Sequence, residues 1–95
     1  MHVLVLRAEL HLPAAQSLKD KRQVVSSIVR HLDQMPAIGA AEVDHQELWQ
    51  RTAIGVTAIG NTAARVSQAI DGVERYVWSR TEIEVVDLAR SWWEE

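Results

Sequence analysis

The segment AlaGluValAspHisGlnGluLeuTrpGlnArg, residues 41–51, brings Asp44, His45, Glu47, Trp49 and Arg51 into one short stretch. Carboxylates, an imidazole and a guanidinium are the parts of an acid–base or metal site. Strand alternation argues against such a site. On a regular strand Asp44 and His45 point to opposite faces and cannot hold one ion unless a bulge intervenes. Glu42, Asp44 and Gln46 share a face, but two carboxylates and an amide make only a weak oxygen site. His11, His31 and His45 belong to three different elements, and nothing in their spacing unites them. A hydrogen-bonded hairpin is the simpler reading, with Asp and Gln satisfying turn backbone groups and Trp49 capping the core edge. No catalytic residue, metal ligand or cofactor is expected.

The second segment with chemical content is SerLeuLysAspLysArg, residues 17–22. Ser17 and Asp20 have capping-box spacing, which places a helix start at Leu18. Helix N-termini favour acids, and a cation in the first turn is unfavourable by roughly 0.3–1 kcal/mol. Lys19, Lys21 and Arg22 break that preference together, only partly offset by Asp20. Lys19, Arg22, Ser26 and Arg30 continue at helical spacing along one face. A local rule broken this way marks where function tends to reside, and phosphate-rich RNA is the anionic partner it suits.

These segments must be carried by a small scaffold. Ninety-five residues make one domain, with a core over about 2–90 and a polar, aromatic tail at 91–95. Apolar content of 47% and charged content of 24% are those of an ordinary globular chain. With no cysteine there is no disulfide framework and no thiolate metal site. No apolar run is long enough for a membrane span, and MetHisValLeuValLeuArg lacks a signal-peptide pattern, so a cytoplasmic location is expected. Net charge is −3, but residues 1–36 carry five basic and three acidic side chains while 37–95 carry five and ten. An anion-binding surface must therefore be local, and the first helix is its place.

Residues 3–12 alternate as a half-buried strand, with Leu4, Leu6, Ala8, Leu10 and Leu12 on the apolar face. A helix follows to about residue 34, carried by Leu18, Val25, Ile28, Val29 and Leu32. A weak strand at 38–46 precedes a doubly apolar one at 52–59, which reads as central. Thr62 caps a second helix ending near Arg80, and 82–88 forms the last strand. The order βαββαβ predicts a ferredoxin-like α+β sandwich, a four-stranded antiparallel sheet with both helices on one face and β1 and β3 parallel at its centre. Its other face is left open, and Val3, Val5 and one side of β3 make it apolar. A homodimer through that face or a sheet edge is expected, with Trp92 and Trp93 either docked on their own domain or at an interface.

Two other functions fail on specific residues. GlyValThrAlaIleGlyAsnThr at 55–62 nearly spells a phosphate-binding loop, but Asn61 stands where its lysine belongs. The strand order also suits an RNA-recognition motif, yet β1 and β3 carry no aromatic residue on which a base could stack. No DNA sequence readout is expected.

HisLeuProAlaAlaGlnSerLeuLysAspLysArgGlnValVal followed by AlaGluValAspHisGlnGluLeuTrpGlnArgThrAlaIleGlyVal resembles the YlxP-like family of small bacterial proteins. The matching positions are Ser17, Leu18, Lys19, Lys21, Arg22, Glu42, Asp44, His45, Gln46, Trp49, Gln50 and Arg51. The resemblance implies a ferredoxin-like fold and no established catalytic set. Genes of that family often lie beside those for transcription elongation, translation initiation and ribosome maturation, which implies a ribosome- or RNA-linked role. The expectation is thus a non-enzymatic accessory protein contacting ribosomal or structured RNA through Lys19, Lys21, Arg22, Arg30 and Arg51. The alternatives are a small enzyme or ligand-binding domain using the Asp44–His45 hairpin, and a protein–protein adaptor using the open sheet face.

Overall fold

Alternation dictates the first element. In the computed structural model, which describes residues 1–93, β1 spans His2–His11 and buries Leu4, Leu6, Ala8 and Leu10 on one face. α1, Leu18–Asp33, starts where Ser17 ends the loop, its hydroxyl accepting from the Asp20 N–H at 3.0 Å. Asp20 reaches back past the cap and accepts from the Gln16 N–H, also at 3.0 Å. β2 (Ile38–Asp44), β3 (Arg51–Gly60), α2 (Ala63–Ser79) and β4 (Glu84–Trp93) follow. Thr62 caps α2 by accepting from the Arg65 N–H at 3.2 Å.

The strands lie in the order β2-β3-β1-β4, and every neighbouring pair is antiparallel. β1 and β3 were expected to run parallel; they pair antiparallel from His2 opposite Gly60 to His11 opposite Arg51. The physical reason lies in the crossovers. Each helix returns the chain two places along the sheet, so β1 with β2 and β3 with β4 are the parallel pairs, each with one strand between them. The result is the ferredoxin-like βαββαβ sandwich.

Both helices cover the face that carries Leu6, Leu10, Ile54 and Val56, adding Ile28, Leu32, Ile70 and Val73 to one core. Burial of each such side chain contributes roughly 1.5–3 kcal/mol. At the outer seam between the helices, His31 stacks on Tyr76 with ring centroids 3.8 Å apart. Arg80 donates to the Tyr76 hydroxyl at 2.6 Å and to Ser27 at 3.3 Å.

β4 runs further than expected. Where 91–95 reads as a tail, the strand continues to Trp93, with Trp92 opposite Leu4 and Trp93 opposite Val3. Arg90 fixes this end to α2, 2.7 Å from Asp71 and 2.9 Å from Glu74. Glu94 and Glu95 fall outside the described residues. Among the described residues, no helix is long and apolar enough to cross a membrane.

The open sheet face has two characters. Strand register places Val3, Ile59 and Trp93 side by side at one end and Glu9, Ala53 and Asp87 at the other, with Arg7 beside Gly55 between them. Gly55 is needed there for room. A Cβ at this position would lie 2.9 Å from Val43 Cγ1, whose side chain rests over it.

Candidate functional site

The two charged segments meet at Lys21. Its side chain is fully buried, and Nζ lies 2.7 Å from Glu42 Oε2. The same ammonium donates to the carbonyls of His45 at 2.7 Å and Gln46 at 3.2 Å. An ammonium has three protons, and three acceptors surround this one. Glu42 also accepts from the buried Thr52 hydroxyl. Lys21 was expected to contact phosphate; it faces the interior and is unavailable. Taking a charge out of water costs several kcal/mol, so a lysine can sit here only because Glu42 and two carbonyls meet it. A signal for this was present in the spacing. Lys21 falls on the buried stripe of Val25, Ile28 and Leu32, four residues before the first of them.

The hairpin departs from regular alternation at Val43. β2 pairs Glu42 with Ile54 and then Asp44 with Ala53, so Val43 is an extra residue in the ladder. Glu42, before the bulge, points to the helix side, while Asp44, after it, comes round to the open face and meets Arg7 at 3.0 Å. The strand ends at Asp44, and His45 takes a left-handed backbone with φ 62°. That conformation is unusual for a residue with a side chain. It is held by the His45 N–H donating to Asp44 Oδ1 at 2.8 Å and by the bonds to the His45 carbonyl. The imidazole Nε2 then lies 3.1 Å from Glu9 Oε2. Asp44 and His45, expected on opposite faces, thus share the open one.

Glu9, which sequence reasoning did not single out, is the centre of this network. Arg7 approaches it at 2.7 Å and Arg51 at 3.3 Å. Partial burial pushes the Glu9 carboxyl up, but hydrogen bonds from Arg7 and Arg51 outweigh it and hold the group below its ordinary value. Asp44 is also held low, first by the His45 N–H and then by Arg7. Carboxylates depressed in this way are weak proton acceptors at neutral pH. Arg51 Nε is buried without a hydrogen-bond partner among the described residues. Among the described residues, no group of three or more His, Asp or Glu is placed to hold a metal ion.

The remaining cations of α1 stand apart from both clusters. Lys19, Arg22 and Arg30 are exposed and line a shallow groove with Gln23, Ser26 and Ser27. Arg30 donates to Ser26 at 3.2 Å, and none of the three cations has an ion pair among the described residues. The acids of α1 are turned to its ends: Asp20 takes the Gln16 N–H, and Asp33 takes the Ala40 N–H at 2.8 Å.

Residues 45–50 form a tethered loop rather than a loose one. Lys21 holds its start, and the Leu48 N–H donates to His45 O at 3.1 Å. The Gln50 side chain donates to Pro13 O and Ala15 O, each at 3.2 Å, and Gln50 O accepts from the Leu12 N–H at 2.9 Å. Trp49, expected to cap the core edge, is instead 53% exposed beside Leu48 at 50%. Gln46 contributes its backbone carbonyl to Lys21 and is otherwise exposed.

Comparison with known proteins agrees with this reading of the fold. The family model described as "Protein of unknown function (DUF503)" matches residues 3–90, and the chain belongs to that family. It is similar to the uncharacterized protein YlxP of Bacillus subtilis (strain 168), 28% identical over 78 residues that cover 82% of this chain and 85% of that protein. Among solved structures it is similar to the de novo designed protein LFR1 1 with ferredoxin fold. That likeness has a TM-score of 0.51 at 13% identity, covers 100% of this chain and 88% of the other, and concerns the fold alone.

Proposed function

We propose that this member of the DUF503 family is a non-enzymatic accessory protein that binds RNA, ribosomal RNA foremost, through the exposed face of α1. The observation that carries the reading is the uncompensated charge of Lys19, Arg22 and Arg30 on one helix face of a chain whose net charge is −3. Five of the ten basic residues, Arg7, Lys21, Arg51, Arg80 and Arg90, are held by carboxylates. Three of the other five gather here, and Arg65 and Arg75 belong to α2. Phosphate contact favours Lys and Arg backed by neutral hydrogen-bonding groups, which Gln23, Ser26 and Ser27 supply. Arg51 is a peripheral contact in this account because Glu9 already engages it.

The test is co-sedimentation of the protein with ribosomal particles from native lysate, with and without nuclease. Wild type is expected in the particle fraction, and Lys19→Gln/Arg22→Gln/Arg30→Gln in the supernatant. Equal sedimentation of the two would contradict the proposal. An alternative, a small enzyme or ligand-binding domain at the hairpin, has the 3.1 Å approach of His45 to Glu9 in its favour. A pH-dependent activity abolished by His45→Ala would support it. The remaining alternative, a protein–protein adaptor, draws on the apolar end of the open sheet face, and capture of a protein partner that survives nuclease would support it.

A further inference from the structure

The basic face alone would accept any phosphate backbone, single- or double-stranded. The 45–50 loop adds a feature that discriminates between them. We infer that Trp49 is a stacking platform for an unpaired base, so that the protein selects single-stranded or looped RNA over duplex; this rests on the proposed RNA-binding role of α1.

Three observations support the inference. First, the indole is more than half exposed, although the backbone that carries it is fixed at both ends. Lys21 holds the carbonyls of His45 and Gln46, and Gln50 is bonded to the β1–α1 loop through both its side chain and its carbonyl. A tethered loop fixes the backbone from which the indole projects, so less order is lost when a ligand arrives. Second, the groove beside it is lined by Glu47, Leu48, Trp49, Gln50 and Arg51. Its walls are mainly apolar, and its charged groups are one carboxylate and one guanidinium. A phosphate would be repelled by Glu47. A base offers a π-face for Trp49 and, at its edge, amino donors for Glu47 and acceptors for Arg51. Third, the Lys21 bonds place this loop against the N-terminal end of α1, and Lys19 and Arg22 occupy the exposed side of that same end. Phosphates of a strand whose base lies on Trp49 have cations at that same end of the molecule. In a duplex the bases are already stacked on one another and cannot reach the indole.

The two central strands β1 and β3 carry no Phe, Tyr or Trp, so stacking across the middle of the sheet is not available to this chain, whereas stacking on the loop is.

The test uses a short single-stranded RNA and the fully paired duplex of the same sequence, with affinity read by fluorescence anisotropy. Wild type is expected to prefer the single strand. Trp49→Ala should weaken single-strand binding by roughly tenfold, within the range known for loss of one base–aromatic stack, and leave duplex binding unchanged. Trp49→Phe should restore most of the preference. If Trp49→Ala changes neither affinity, or lowers both equally, the stacking inference is wrong. The basic-face variant separates the two claims. If Lys19→Gln/Arg22→Gln/Arg30→Gln loses both RNAs while Trp49→Ala loses neither, the phosphate face stands and the platform falls. If wild type binds neither RNA, both fall.

Discussion

Lys21 and Glu42 form a 2.7 Å ion pair beneath the surface, and the Lys21 side chain is fully buried. The pair joins the first turn of α1 to β2 and, through two carbonyls, to the loop that carries Trp49. The two segments that identify the family are thereby parts of one internal structure. Removing one member strands the other in a place poor in water. Lys21→Met should destabilise the protein by about 3–5 kcal/mol, close to the whole stability of a small domain. Lys21→Met/Glu42→Leu should recover most of that loss. Urea unfolding of the single and double variants checks this, and a double variant no more stable than Lys21→Met would contradict it.

The bulge at Val43 depends on Gly55 across the ladder. Gly55→Ala puts a methyl group within 2.9 Å of Val43 Cγ1 and should cost roughly 1 kcal/mol, since overpacking is destabilising even where the neighbour can shift. In Gly55→Ala/Val43→Ala the obstruction is gone, and the cost of the glycine change should fall toward zero. Thermal melts of the four members of the cycle read this directly.

Acid should release Arg80 from Glu82. The hydrogen bond from Arg80 lowers the Glu82 carboxyl from 4.5 to about 2. A carboxyl depressed in the folded state stabilises fully above its unfolded value, and that contribution is lost as pH falls from about 4.5 through about 2. Because Glu82 is 43% exposed, solvent screening limits the contribution to about 1 kcal/mol or less. Carboxyl NMR titration should place Glu82 near 2 in wild type and move it upward, toward 4.5, in Arg80→Gln, where only the backbone N–H bonds still hold it down. An unchanged midpoint in the variant would contradict the pairing.

We propose that the homodimer expected from the apolar sheet buries the exposed apolar side chains of the open face. Val43, Ile59 and Trp93 are each about half exposed on the open face, at 48%, 50% and 49%. Light scattering at micromolar concentration should give twice the chain mass, and Ile59→Lys should return it to that of one chain. Wild type that scatters as a single chain would contradict the dimer.

The elements were legible because burial repeats at fixed periods. Leu4, Leu6, Ala8 and Leu10 mark β1 as clearly as Val66, Ile70, Val73 and Val77 mark α2. What alternation cannot show is where it breaks. The extra residue at Val43 depends on Gly55, twelve positions along the chain, and it alone brings Asp44 onto the face of Arg7 and Glu9. Lys21 is ambiguous in the sequence for a related reason. Its type belongs to surfaces and its spacing to the core, and only Glu42 on another element decides between them. Residues 91–93 read as a tail because Arg90 and Ser91 are polar, whereas the ladder to β1 and the Arg90 contacts with α2 carry the strand on to Trp93.

The most direct test of the central claim is the salt dependence of RNA binding. Three cations meeting phosphate should give a slope of log affinity against log salt of about −2 to −3 for wild type. In Lys19→Gln/Arg22→Gln/Arg30→Gln that slope should approach zero, with folding stability unchanged because all three side chains are exposed. A variant that retains both the wild-type affinity and the wild-type slope would place the phosphate contacts elsewhere and contradict the account.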